Sequence, residues 1–221
     1  MILQSQKIII IGGGILGLSI ARKFLLEGFK NITVLEKEND IACHQSLRNS
    51  GVMHAGLYYA PDSLKANLSR KGILLMKAYC KENSVAWEEC GKIVVATNNN
   101  ELDRLNSLLA RGKKNNLKDI KMLNAKEVNK IEPYVNAKAG ILVPEESIVN
   151  FKDVAKKYQE EIDSLGGKIK LSSKVIKINH LNHCEEIVLD NGTIILGKYT
   201  LANKSAFAVK VPEVNVKHPE K

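Results

Sequence analysis

Residues 7–11, Lys-Ile-Ile-Ile-Ile, run straight into Gly12-Gly13-Gly14-Ile15-Leu16-Gly17, and after a helical stretch comes Asn31-Ile32-Thr33-Val34-Leu35-Glu36. No other feature restricts the fold so tightly. A short β-branched run reads as a parallel strand buried on both faces, and Gly12, Gly14 and Gly17 fall in the G-x-G-x-x-G pattern where strand becomes helix. Gly12 permits the tight turn, Gly14 lets the backbone approach a pyrophosphate, and Gly17 lets the helix press on the strand. The free N–H groups at the helix N-terminus favour the phosphate charge. Glu36 ends the second strand, 24 residues after Gly12, where a carboxylate accepts from a ribose hydroxyl. Glycines can merely punctuate a turn, but here strand, helix and terminal acid stand in order around them.

A chain of 221 residues with 44% hydrophobic and 26% charged residues buries a sizeable core and is globular. The net charge of +9 comes from 28 Lys and only 5 Arg, spread along the chain. Nucleic-acid binders cluster Arg and Lys on one face, so no nucleic-acid partner is expected. A positive field near an anionic cofactor and an acidic substrate is the plainer use. Cys43, Cys80, Cys90 and Cys184 are widely separated and read as reduced thiols. No metal is expected, since His180, His183 and Cys184 sit between predicted strands as a solvated hairpin. The N-terminus lacks the pattern of a signal peptide. Residues 8–21 are too few and too rich in glycine to cross a bilayer, which needs about 20 apolar residues. A cytoplasmic location is the expectation.

Residues 15–27 read as a helix stopped by Gly28. Residues 37–50 have no periodicity, and the next stretch resembling a third parallel strand is residues 167–171, after a helix over 151–165. A nucleotide domain interrupted for so long fits a flavin-binding architecture better than a nicotinamide one. Within the interruption, Asp62 or Ser63 caps a helix to about Lys81, whose stripe Leu64, Leu68, Leu75, Met76 and Tyr79 reads as core. Residues 85–87 and 92–96 read as strands around a Cys90-Gly91 turn, and residues 101–110 as an amphipathic helix. Asn124 and Glu127 form a capping-box start for a short helix that Pro133 must end. Residues 139–143 are another strand. Later, residues 174–179, 185–189 and 193–196 form an antiparallel meander with an Asn191-Gly192 turn, and residues 199–202 add a strand to the nucleotide sheet.

The stretch His44-Gln45-Ser46-Leu47-Arg48-Asn49-Ser50-Gly51-Val52-Met53-His54-Ala55-Gly56-Leu57-Tyr58-Tyr59, with Pro61 and residues 63–66 after it, resembles the L-2-hydroxyglutarate oxidase/dehydrogenase family. Those enzymes are FAD-dependent oxidoreductases of the D-amino-acid oxidase type. The similarity continues through residues 90–96, Glu132-Pro133 and Ile148-Val149. It implies an α/β fold in which an interrupted Rossmann-like FAD-binding domain, residues 1–83 and 145–205, carries an inserted α+β piece of a substrate domain, residues 84–144. Residues 206–221, with many lysines and no helical stripe, read as a loosely ordered tail. The activity implied is oxidation of L-2-hydroxyglutarate or a similar 2-hydroxy acid to the 2-oxo acid, with electrons passing to a quinone at the inner face of a membrane as one option. Leu47-Arg48 stands where the family has Gly-His. Asn203-Lys204-Ser205 stands where it has a Cys-Ala-Gly-type turn followed by a long C-terminal half. The chain therefore reads as truncated, with poor turnover or none expected.

The same segment supplies the candidate site. His54 is its best proton acceptor, because imidazole titrates near neutral pH. Arg48 suits a carboxylate through its fork geometry, and equally suits the FAD phosphates or a solvated surface. Tyr58 and Tyr59 line a substrate pocket or pack in the core. Ser46, Asn49 and Ser50 join Gly12, Gly14, Gly17 and Glu36 as cofactor contacts, or serve as ordinary turn residues. Two other readings stay open: an amine or amino-acid oxidase on the same scaffold, and a non-catalytic nucleotide-binding fragment.

Overall fold

The computed structural model describes residues 4–202. They divide into two compact units, one made of residues up to 48 together with those from 152 onward, the other of residues 49–151. The expected tail, residues 206–221, lies outside the described residues.

The first unit is built on a four-stranded parallel sheet. Strands β1 (Ile8–Ile11) and β2 (Ile32–Leu35) are buried along their whole length, as expected of β-branched runs covered on both faces. Helix α1 (Ile15–Leu26) crosses between them, and Ile8 pairs with Ile32. A second helix, α5 (Phe151–Ser164), leads to β9 (Lys168–Lys170), which pairs in parallel with β2, Val34 opposite Ile169. The final strand, β13 (Tyr199–Ala202), pairs in parallel with the other edge of β1, so the order is β13-β1-β2-β9. The late third strand and the strand at 199–202 thus stand where the sequence places them. On α1, Arg22 bonds Glu161 of α5 at 2.7 Å and lies over the Tyr158 ring.

Strands β10 (Val175–His180), β11 (Glu185–Leu189) and β12 (Ile194–Gly197) form the antiparallel meander. Its Val175, Ile187, Leu189 and Ile195 close over Ile9, Ile11 and Leu35 in one buried cluster. Gly192 turns at a φ of +79°, and His183 and Cys184 lie in the preceding hairpin, where His180 bonds Glu185. Among the described residues no group of His, Cys, Asp or Glu is placed to hold a metal ion. None of the described helices is long and apolar enough to cross a membrane.

The second unit holds two three-stranded antiparallel sheets. In one, β8 (Ser147–Val149) lies between β3 (Val52–Met53) and β4 (Trp87–Glu88). In the other, β7 (Ala139–Val143) lies between β5 (Lys92–Ala96) and β6 (Lys121–Asn124). Three helices complete it: α2 (Leu64–Glu82), α3 (Asn99–Lys114) and α4 (Ala125–Ile131). Two details match the sequence closely. Ser63 caps α2 through Ala66 N–H, and Asn124 with Glu127 forms a complete capping box on α4.

Three details differ. The unit's edges fall at 49 and 151 rather than at 84 and 144, because β3 pairs with β8 and ties the segment before residue 84 to the segment after 144. Residues 87–88 and 92–96 are not hairpin partners: they pair with β8 and β7 in separate sheets, and Gly91, at a φ of +70°, gives its N–H to the Glu146 carbonyl instead. The expected core stripe of α2 is largely exposed, with Leu64 73%, Leu68 57% and Leu75 59% accessible. The buried apolar residues are Ala66, Ile73, Tyr79 and Cys80. The reason is electrostatic. Arg70 and Lys77 share the face of Ala66, Ile73 and Cys80, and both reach Glu145: Arg70 as a two-pronged pair at 2.9 and 3.0 Å, Lys77 by its ammonium to the Glu145 carbonyl at 2.8 Å. A fork of this kind sets the helix orientation.

Candidate functional site

In the first unit the glycine turn forms a cradle. Gly12 has a φ of +107° and donates its N–H to Leu35 O at 2.8 Å, a backbone shape that side chains resist. A Cβ on Gly17 would lie 1.9 Å from the Gly12 carbonyl oxygen, so this glycine is required by the fold itself. Gly14 is different. Its backbone is extended, with φ −77°, and a Cβ there would meet only Ser46 Oγ, at 3.2 Å. Among the described residues, the Ser46 hydroxyl is thus the one group that a side chain on Gly14 would press against. Gly14, the residue before α1, has no side chain to cap the helix, and the helix's own first turn holds no acid, although the Glu36 carboxylate takes the Gly13 N–H just ahead of it. Ser46 Oγ accepts from Ile15 N–H at 3.0 Å, placing a hydroxyl at the same mouth.

Glu36 is buried at the end of β2, its Oε2 accepting from Gly13 N–H at 2.5 Å and its Oε1 from Glu38 N–H at 3.0 Å. A carboxylate offers about four acceptor positions, so these two bonds fix its orientation and leave capacity for a hydroxyl. The loop after Glu36 is pinned beneath the cradle. Ala42 N–H bonds Gly13 O, and Lys152 donates to Asp40 and to the Ile41 carbonyl. The Lys152 hydrogen bond, then the Ile41 N–H, hold the Asp40 carboxyl below its usual range. The His44 hydrogen bond to Glu38 does the same for that carboxyl.

Of the residues the sequence nominates, Gly12, Gly14, Gly17, Glu36 and Ser46 come together in this unit. Arg48, at the unit's last residue before the break, is exposed. Asn49 and Ser50 open the second unit and are exposed, Asn49 Oδ1 accepting from Gly51 N–H at 2.7 Å. That is the ordinary turn bonding weighed for this residue.

The second unit holds His54, Tyr58 and Tyr59 on a loop clamped through its carbonyls. Ser69 Oγ donates to His54 O, Asn115 Nδ2 to Gly56 O and Tyr59 O, and Arg111 to Tyr58 O. Gly112 on α3 lets that helix come close: a Cβ there would lie 2.5 Å from Ile120 and 2.9 Å from Leu57. His54 is half exposed, and its Nδ1 lies 3.0 Å from Oε2 of Glu146, whose side chain is 1% exposed. Glu146 Oε1 accepts from Ala55 N–H at 3.0 Å and lies 2.9 Å from Lys92 Nζ. The Lys92 ammonium makes this ion pair without a well-directed hydrogen bond and stands 5.0 Å from the centre of the Tyr58 ring, within cation–π range. Tyr58 and Tyr59 are 52% and 36% accessible, so neither is packed in the core.

Glu146 and Lys92 are the functional candidates that the sequence reading did not nominate. Glu146 follows Pro144-Glu145 on the turn between β7 and β8, where an acid ordinarily reads as solvated. Its partners, on the loop after β3 and at the start of β5, are remote in sequence, so no local signal marks it.

Residues 7–201 match the FAD dependent oxidoreductase (DAO) family. An L-2-hydroxyglutarate dehydrogenase from Indibacter alkaliphilus is 43% identical over 189 residues, which are 85% of this chain and 47% of that protein. The mitochondrial L-2-hydroxyglutarate dehydrogenase of Dictyostelium discoideum is 44% identical over 77% of this chain and 38% of its own length. The chain thus spans about half, or less, of the curated relatives it matches. Among solved structures, the L-alpha-glycerophosphate oxidase of Mycoplasma pneumoniae with FAD bound superposes with a TM-score of 0.78 at 26% identity, covering 89% of this chain and 52% of that one. A glycine oxidase from Geobacillus kaustophilus superposes at 0.80 with 18% identity over 90% of this chain and 55% of that one, a likeness of fold alone.

Proposed function

Because the chain belongs to the FAD dependent oxidoreductase (DAO) family, we propose that its first unit binds FAD by the ADP half and that the protein oxidises L-2-hydroxyglutarate, or a similar 2-hydroxy acid, to the 2-oxo acid. The observation that carries the cofactor assignment is the glycine turn at the start of α1, where among the described residues a Cβ on Gly14 would meet only the Ser46 hydroxyl, with the buried Glu36 carboxylate beside it. Gly12 shapes the turn, Gly14 admits the pyrophosphate, Gly17 seats the helix, and Glu36 accepts from the ribose with its remaining lone pairs. Ser46 adds a hydroxyl at the cradle mouth. The substrate assignment draws its support from the names of relatives that are 38–44% identical.

Bound FAD supplies the two-electron oxidant that takes the hydride from the substrate's hydroxyl-bearing carbon. The remaining steps belong to side chains of this protein. His54 takes the hydroxyl proton as general base, so that the O–H and C–H bonds break and the C=O bond forms. Arg48 holds a substrate carboxylate, and Tyr58 and Tyr59 line the pocket. A quinone at the inner face of a membrane is the proposed acceptor.

The test is anaerobic. L-2-hydroxyglutarate added to the flavin-loaded chain should bleach the visible flavin band. The D enantiomer and amino acids should leave it unchanged. Bleaching by an amino acid instead would move the protein to the amino-acid oxidase reading, and tight flavin binding with no bleaching by any substrate would support the non-catalytic one. Reoxidation of the bleached flavin by a soluble quinone is the expected result for the acceptor.

A further inference from the structure

Glu145 and Glu146 are neighbours on one turn and are used in different ways. Both oxygens of Glu145 are occupied by the Arg70 fork, and one also by Lys118 N–H, which is a structural clamp. Glu146 has its backbone anchored, its carbonyl accepting from Gly91 N–H at 2.9 Å. Its carboxylate is almost wholly removed from water. A buried carboxylate persists only when both oxygens find partners, and here they are divided. Oε1 takes the Ala55 N–H and the Lys92 charge, which among the described residues leaves Oε2 to His54 Nδ1.

That division fixes a proton. Oε2 of a carboxylate beside an ammonium is an acceptor, so the nitrogen 3.0 Å away donates to it, and the neutral ring carries its hydrogen on Nδ1. Nε2 is then the bare lone pair. We propose that Glu146 is the positioning residue of His54: it holds the imidazole as the Nδ1–H tautomer, so that Nε2 receives the substrate's hydroxyl proton, with Lys92 neutralising the carboxylate behind it. This rests on the reading of His54 as the base. The balance is unchanged from that reading: the proton goes to Nε2, and the hydride goes to the oxidised flavin.

Glu146→Gln tests it, because Ala55 N–H and Lys92 both demand an acceptor at the ε1 position. The carboxamide oxygen must sit there, which turns the NH₂ group toward His54 Nδ1. Nδ1 then becomes an acceptor and the ring proton moves to Nε2. In the full ¹⁵N-labelled chain, at a pH above the imidazole titration, long-range ¹H–¹⁵N spectra should show His54, assigned by its loss in His54→Gln, with a protonated Nδ1 and a bare Nε2. In Glu146→Gln the two nitrogens should exchange characters, an inversion that a purely structural role would not produce. The flavin bleaching rate should fall by about a hundredfold or more, the usual scale for losing a positioned base.

An Nε2–H tautomer in the wild type overturns the inference, even where the variant does not fold. An unchanged tautomer in a folded Glu146→Gln, or an unchanged bleaching rate despite inversion, overturns it too. Absence of bleaching by any 2-hydroxy acid in the wild type is a failure of the substrate reading, and the spectra decide the positioning of His54 separately.

Discussion

Gly14 and Gly17 are the same residue type in one motif, three positions apart, and the fold makes opposite demands on them. A methyl group at Gly17 collides with the Gly12 carbonyl at 1.9 Å, a backbone atom that cannot swing aside, while one at Gly14 meets a single hydroxyl at 3.2 Å. Gly17→Ala should therefore cost at least the roughly 1–3 kcal/mol of an overpacked site, and Gly14→Ala should stay close to wild type, as read from denaturant midpoints of the two variants. This pair was legible in the sequence because the motif that names both glycines spans only residues 12–17, whereas the Ser46 hydroxyl facing Gly14 lies far along the chain. Glu36 was legible in place, at the end of β2, but its bonds to Gly13 and Glu38 N–H were not. Glu146 was not legible at all. Its bond to His54 spans 92 positions, and a carboxylate becomes a buried partner only when folding brings the cation and the imidazole to it.

Helix α4 shows which elements a sequence announces. Asn124 and Glu127 complete their capping box from four consecutive residues, so local chemistry alone fixes the start. Helix α2 shows the converse, since its leucines repeat at helical spacing yet Leu64, Leu68 and Leu75 stand in solvent. The inward face follows Arg70 and Lys77, whose side chains are 16% and 15% exposed, toward Glu145. Hydrophobic period alone misjudges a helix held by charge on its buried side. Arg70→Met strips the fork and leaves the Glu145 carboxylate largely buried, and removing one partner of such a pair costs about 3 kcal/mol or more. Leu68→Gln should change stability by less than about 0.5 kcal/mol, as for surface positions generally. Urea unfolding of the two variants checks both values, and a larger loss in Leu68→Gln would return the helix to the leucine-inward orientation.

At the scale of the whole molecule, the chain leaves the nucleotide sheet after β2, builds a second unit over residues 49–151, and returns to add β9 and β13. The parallel strands were legible because β-branched runs mark strands covered on both faces. The unit's edges were not, because β3 and β8 are too short to alternate and declare themselves only by pairing with each other. The central claim is that the first unit, a cradle built around Gly14, holds FAD. It is tested most directly by the flavin absorbance that survives desalting of wild type and Gly14→Val after incubation with FAD, with circular dichroism confirming that both are folded. We predict stoichiometric flavin on the wild type and none on the folded variant, whose side chain fills the space the pyrophosphate needs. Equal flavin on both, or none on the wild type, would contradict it.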